Sequence, residues 1–163
     1  MRTLAVIVDH MTKRKYLLIS VTFLLFTLSF CTQIDSSKIV EYVENNDYNK
    51  VEKWLKNGGD PNIILPDNST LLYIATGPHG GMEVTKILIE AGADVNKGQG
   101  DYTPLMNAAS WTNYLIVEYL LDHKANPNLK NESGKTALQV IGYCNNCPSE
   151  VKTRSLLEKV TLK

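Results

Sequence analysis

Three cysteines and three histidines hold most of the reactive side chains in this 163-residue chain. Cys144 and Cys147 are the only close cysteine pair. A C-x-x-C pair does redox work at the mouth of a strand–helix–strand unit, and no such pattern surrounds this one. Zinc wants four ligands, and His79 and His123 lie in distant segments. The plain chemistry for Cys144 and Cys147 is a short disulfide across a turn, which requires an oxidising compartment. His79 sits in Gly77-Pro78-His79-Gly80-Gly81. A phosphate-cradling loop needs a strand before it and Gly-Lys-Ser/Thr after it, and Lys86 comes too late. His123 closes a helical pattern, where a cation is mildly favourable. No Ser/His/Asp set assembles, and the carboxylates are scattered singly. The expectation is therefore no catalytic residues, no cofactor and no metal.

The elements that position these residues fall into two regions of different character. Lys13, Arg14 and Lys15 precede an uncharged run from Tyr16 to Phe30, and a polar stretch follows Cys31. A basic start, an apolar middle and small residues at its end describe an export signal. The run is shorter than the roughly 20 residues of a spanning helix. Met11, just before the basic cluster, is a candidate true start. Leu28-Ser29-Phe30-Cys31 resembles a bacterial lipobox, in which Cys31 would be lipidated; Phe30 departs from its Gly/Ala preference. The rivals are cleavage after Ser29 and an uncleaved anchor. All three place the rest of the chain outside the cytoplasm, periplasmic or membrane-anchored. The formal charge of the whole chain is zero, but residues 1–31 carry four basic groups and one acidic, leaving a body of −3. That balance opposes binding to nucleic acid.

The body is periodic. Thr70, Thr103 and Thr136 each stand 33 residues apart. They open the strings Thr70-Leu71-Leu72-Tyr73, Thr103-Pro104-Leu105-Met106 and Thr136-Ala137-Leu138-Gln139. A second string recurs: Gly58-Gly59-Asp60-Pro61-Asn62, Gly92-Ala93-Asp94-Val95-Asn96 and Lys124-Ala125-Asn126-Pro127-Asn128. Between the strings, Val51, Trp54 and Leu55, then Val84, Ile87 and Leu88, then Val117, Leu120 and Leu121 have the spacing of one helix face. Leu156, Leu157 and Val160 are expected to form the same stripe in the last helix. The threonines fit helix N-caps, and Pro104 fits a first helical turn. Gly58 and Gly92 fit helix stops at positive φ. Lys124 takes the third such stop and is expected to bring strain or an altered turn. Gly77–Gly81 lengthens one inter-helix turn, and Tyr143–Ser149 is a longer insertion in the last unit. The opening unit reads as a cap, with Ile39, Val40 and Val43 inward and Lys38, Glu41 and Glu44 outward.

These strings in register at 33 residues resemble the ankyrin-repeat family over about residues 36–160, and specifically small exported bacterial members. The resemblance implies an all-α solenoid of about four helix–turn–helix units with short β-turn fingers. It implies binding to another protein through the finger tips and the concave face of the first helices. At matching positions these are Ile64, Leu65, Asp67 and Tyr73; Gln99, Asp101, Tyr102, Asn107 and Trp111; and Lys130, Glu132, Lys135 and Gln139. Trp111 and Tyr102 fall at positions that do not face the core, as interface anchors do. The alternative for Trp111 is packing on the next unit. Tyr73, Asn107 and Gln139 take the position where the family often hydrogen-bonds locally.

The organisation expected is an export segment over 1–31, a linker over 32–36 and a repeat domain over 37–163. Its expected work is non-catalytic protein binding by a monomer, tethered to a membrane only through the N-terminal segment or a lipid on Cys31. The alternatives are an inhibitor or immunity protein that blocks a toxin or enzyme, and a redox accessory protein using Cys144 and Cys147.

Overall fold

Helices begin where a side chain can satisfy the first free amides, and this chain supplies such a residue at most unit boundaries. The computed structural model describes residues 36–142 and 147–161. The export segment expected over residues 1–31, the 32–36 linker up to residue 35, and Cys144 lie outside them. The described helices are α1 (Ser36–Glu44), α2 (Tyr48–Lys56), α3 (Leu71–Ala75), α4 (Met82–Glu90), α5 (Pro104–Ser110), α6 (Tyr114–Asp122) and α7 (Pro148–Thr161). A 3₁₀ turn, Ala137–Val140, replaces the first helix of the fourth unit. Isolated β-bridges, such as Gln99 with Tyr102, shape the fingers between the hairpins. The architecture is an all-α repeat array.

The caps follow the threonine ladder. Thr70 Oγ1 accepts the Tyr73 N–H at 3.1 Å and donates to the Lys97 carbonyl at 2.9 Å. One hydroxyl thus starts a helix and ties two units together. Thr103 Oγ1 accepts the Met106 N–H at 3.2 Å. At Thr136, the Gln139 side chain reaches back to accept the backbone N–H at 3.0 Å. Among the second helices, Asp47 and Asn113 cap α2 and α6. Gly81 begins α4 with no capping side chain of its own. Asn46 of the preceding unit stands in, its Oδ1 accepting the Val84 N–H at 3.4 Å.

The apolar stripes pair to form one core. Ile39, Val43, Val51 and Trp54 join Leu71, Leu72, Val84, Leu88, Leu105, Met106, Ile116, Val117 and Leu120 in a continuous buried cluster. It runs on into the fourth unit through Ala137 and Leu157. As expected, Lys38, Glu41 and Glu44 face solvent. The core side of α7 differs from the expected stripe: Leu157 is buried, Leu156 and Val160 are half-buried, and Glu150 and Thr153 are buried beside them.

Gly58 and Gly92 stop α2 and α4 at φ +89 and +93. Lys124 stops α6 at φ 72, which costs an L-residue about 1–2 kcal/mol. The entropy that glycine loses on folding is about 0.5–1 kcal/mol, so the steric gain is the larger quantity. Lys124→Gly is expected to raise stability by about 0.5–1 kcal/mol, read as a higher urea midpoint at unchanged slope. A lower midpoint would show that Lys124 makes compensating contacts.

Candidate functional site

The fingers are rigid because their side chains bond their own backbone and the next finger. Asp60 Oδ1 accepts the Asn62 N–H at 2.8 Å, Asp94 Oδ1 accepts that of Asn96 at 2.9 Å, and Asn126 Oδ1 accepts that of Asn128 at 3.0 Å. Each is a side chain closing a tight turn on the amide two residues on. The asparagines then link the units. Asn62 donates to the Gly92 carbonyl at 2.9 Å and accepts the Asp94 N–H at 2.8 Å. Asn96 accepts the Asn126 N–H at 2.8 Å. The recurring Asp/Asn-x-Asn string already held this signal, but its cross-unit role needed the stacking to become visible.

The candidate residues gather on this frame. Gln99 Nε2 lies 3.3 Å from both the Asp67 carbonyl and its Oδ2, so it bridges two fingers. The Tyr73 and Tyr102 rings meet edge to face at 6.3 Å. Gln99, Asp101 and Tyr102 of one finger and Asn131, Glu132 and Ser133 of the next line an open cleft of about 340 Å³. Asn131 and Ser133 had no distinguishing sequence signal. Trp111 ends α5 with 55% of its surface exposed, so it does not insert into the next unit. Ile64 is exposed, as are Lys130, Glu132, Lys135 and Gln139 on the fourth unit.

Two candidates prove to be interior. Leu65 is only 6% exposed and belongs to the core cluster, because its place in the finger turns the side chain inward. Asn107 is also 6% exposed, and its Nδ2 donates to the Tyr73 carbonyl at 2.8 Å. That bond links adjacent first helices. Tyr102 is half-buried and packs against the core. Leu115 and Val151, both about half exposed, are apolar surface that the periodic pattern did not single out.

Electrostatics keep the face polar and charged. The Ser69 hydroxyl, 2.7 Å away, and then its N–H hold the Asp67 carboxyl below its ordinary pKa. Burial, then the neighbouring Tyr102 and Asp67, push the Tyr73 phenol up. Among the described residues no group of three potential metal ligands converges. None of the described helices is long and apolar enough to cross a membrane. Cys147 is disulfide-bonded, and its partner lies outside the described residues.

Comparison with known proteins extends this geometry. The family model for ankyrin repeats (three copies) matches residues 39–131. BRCA1-associated RING domain protein 1 of Caenorhabditis elegans is 32% identical over 133 residues, which is 80% of this chain and 18% of that protein. Ankyrin repeat and SOCS box protein 11 of Homo sapiens is 33% identical over 105 residues, covering 64% of this chain and 32% of that protein. SH3 and multiple ankyrin repeat domains protein 1 of Homo sapiens is 33% identical over 109 residues, 66% of this chain and 5% of that one. The chain thus spans no more than about a third of these relatives, at most the 32% of the SOCS box protein.

Burial separates two kinds of residue on this face. Asn107→Ala is expected to cost about 0.5–1.5 kcal/mol in chemical denaturation, since it removes one hydrogen bond from a carbonyl that the Thr76 hydroxyl still holds at 2.8 Å. Trp111→Ala is expected to stay within about 0.5 kcal/mol of the parent. Equal losses from the two would mean that Trp111 is a packing residue.

Proposed function

The chain belongs to the ankyrin-repeat family, and from that membership we propose that it is a non-catalytic module that binds another protein through its fingers and first helices. The family typically works this way, and its repeats are generally not enzymes. The observation that carries the reading is Trp111. An aromatic side chain 55% exposed at the end of α5 stands on a frame that is already fixed by the asparagine ladder. A prearranged surface loses little freedom on binding, so an exposed indole can act as an anchor at low cost. Ile64, Asp67, Tyr73, Gln99, Asp101, Tyr102, Lys130, Glu132, Lys135 and Gln139 form the surrounding contact surface.

The module is exported and held at a membrane in this proposal. Support comes from the basic cluster at Lys13–Lys15 and the uncharged run that ends before Cys31. A disulfide at Cys147 suits the same oxidising compartment.

Crosslinking in intact cells, followed by pull-down, tests the reading. The parent chain should enrich a defined partner, and Trp111→Ala should reduce its capture about tenfold or more while leaving the fold intact. Undiminished capture by the variant would remove Trp111 from the interface, and no partner at all would remove the binding reading.

A further inference from the structure

Two closed turns form the walls of the cleft between neighbouring fingers. In one, Gln99 and Tyr102 exchange both backbone hydrogen bonds at 3.0 Å, and Gly100 and Asp101 form the tip, with Gly100 at φ +56. In the other, Asn131 Oδ1 accepts the Ser133 and Lys135 N–H groups, each at 3.0 Å, and Glu132 lies within the turn so closed. Gln99 is anchored by its side chain on Asp67, and Tyr102 packs against Tyr73 and the core. The described residues lining the cleft of about 340 Å³ bring two carboxylates, Asp101 and Glu132, and no cationic side chain. Lys97, Lys130 and Lys135 belong to the same fingers but do not line it. Neither Asp101 nor Glu132 has an ion pair or a side-chain hydrogen bond among the described residues.

These observations constrain whatever seats on the fingers. Like charges on facing walls repel, and water screens them only while the cleft stays open. A partner that covers the cleft takes that water away. A carboxylate left dry without a counter-charge opposes docking strongly. The group that enters must therefore be a cation. Arginine suits the walls better than lysine. Its guanidinium carries five N–H donors in one plane, so a single group can serve both carboxylates, and it stacks on aromatic rings such as that of Tyr102. It is also less strongly hydrated than an ammonium, so it gives up less on leaving water.

We propose that this cleft receives an arginine side chain of the protein partner, with Asp101 and Glu132 holding its guanidinium from the two walls. The inference rests on the reading that the fingers bind a protein, and it adds the chemistry of the residue recognised. The two ends of α5 then divide the work. The finger before Thr103 selects charge, and Trp111 at the other end supplies apolar contact. The helix between them has seven residues, about 10 Å. A partner segment of about three or four extended residues spans that distance.

Titration of the full, nitrogen-15-labelled chain with N-acetyl-arginine N-methylamide at constant ionic strength tests the site directly. The amide signals of Gln99, Asp101, Tyr102 and Glu132 should shift together and saturate. N-acetyl-lysine N-methylamide should bind about threefold more weakly or worse. Asp101→Asn/Glu132→Gln should weaken the arginine probe about fivefold or more. The parent carboxylates bond nothing else among the described residues, so this variant keeps the fold. No saturable shift at these residues, equal binding of the two probes, or undiminished binding by the variant would each overturn the proposal. Crosslinking in intact cells separates the arginine site from the reading it rests on. The double variant should capture the parent's partner about tenfold less, and Glu118→Gln, an acid on α6 outside the cleft, should capture it as the parent does. Full capture by the double variant beside a loss in Trp111→Ala would overturn the arginine site and leave the binding reading standing. Capture of no partner by the parent would remove the reading and this inference with it.

Discussion

Each helical hairpin here has an apolar stripe that it cannot bury alone, and that constraint governs the rest of the molecule. Only a neighbouring hairpin can cover it, so stability resides in the interfaces between units. The interfaces carry a second, directional contribution. Asn62 bonds the Gly92 carbonyl and the Asp94 amide, and Asn96 bonds the Asn126 amide. Thr70 adds its hydroxyl bond to the Lys97 carbonyl. Apolar burial is nondirectional and sets how strongly units adhere. The side-chain hydrogen bonds set the register in which they do so, and hence where each finger points.

That register makes a binding surface out of short loops. A finger of this length has no core of its own, and its order comes from neighbours: Gln99 reaches Asp67, and Tyr102 leans on Tyr73. The exposed residues are then displayed from a surface that is ordered before any partner arrives. The same dependence explains why a substitution inside the frame, at Asn107 for example, acts on the surface through the fold.

The array was legible in the sequence because its determinants are local. The threonine caps, the glycines at positive φ and the three- and four-residue spacing of Val51, Trp54 and Leu55 are each decided within one turn of helix. Leu65 and Asn107 were not legible. Both sit at positions the family pattern marks as surface, and whether such a side chain turns in or out depends on the neighbouring unit. Asn46 shows the same limit, since the helix it caps begins 36 residues later, at Met82. The buried polar groups of α7 were hidden for another reason: its leucines have helical spacing in their own right, and nothing in that spacing showed that Glu150 and Thr153 turn inward beside them.

Coupling between units is best read from the chain's two tryptophans. Trp54 lies in the first unit and Trp111 in the third. Urea unfolding followed by fluorescence in Trp111→Phe reports the first unit, and in Trp54→Phe the third, each with and without Asn96→Ala. If the interfaces hold the array together, Asn96→Ala lowers the midpoint seen by both probes, including the distant Trp54. A shift confined to the third unit, with Trp54 unfolding at its original midpoint, would show hairpins that stand independently and would contradict the account.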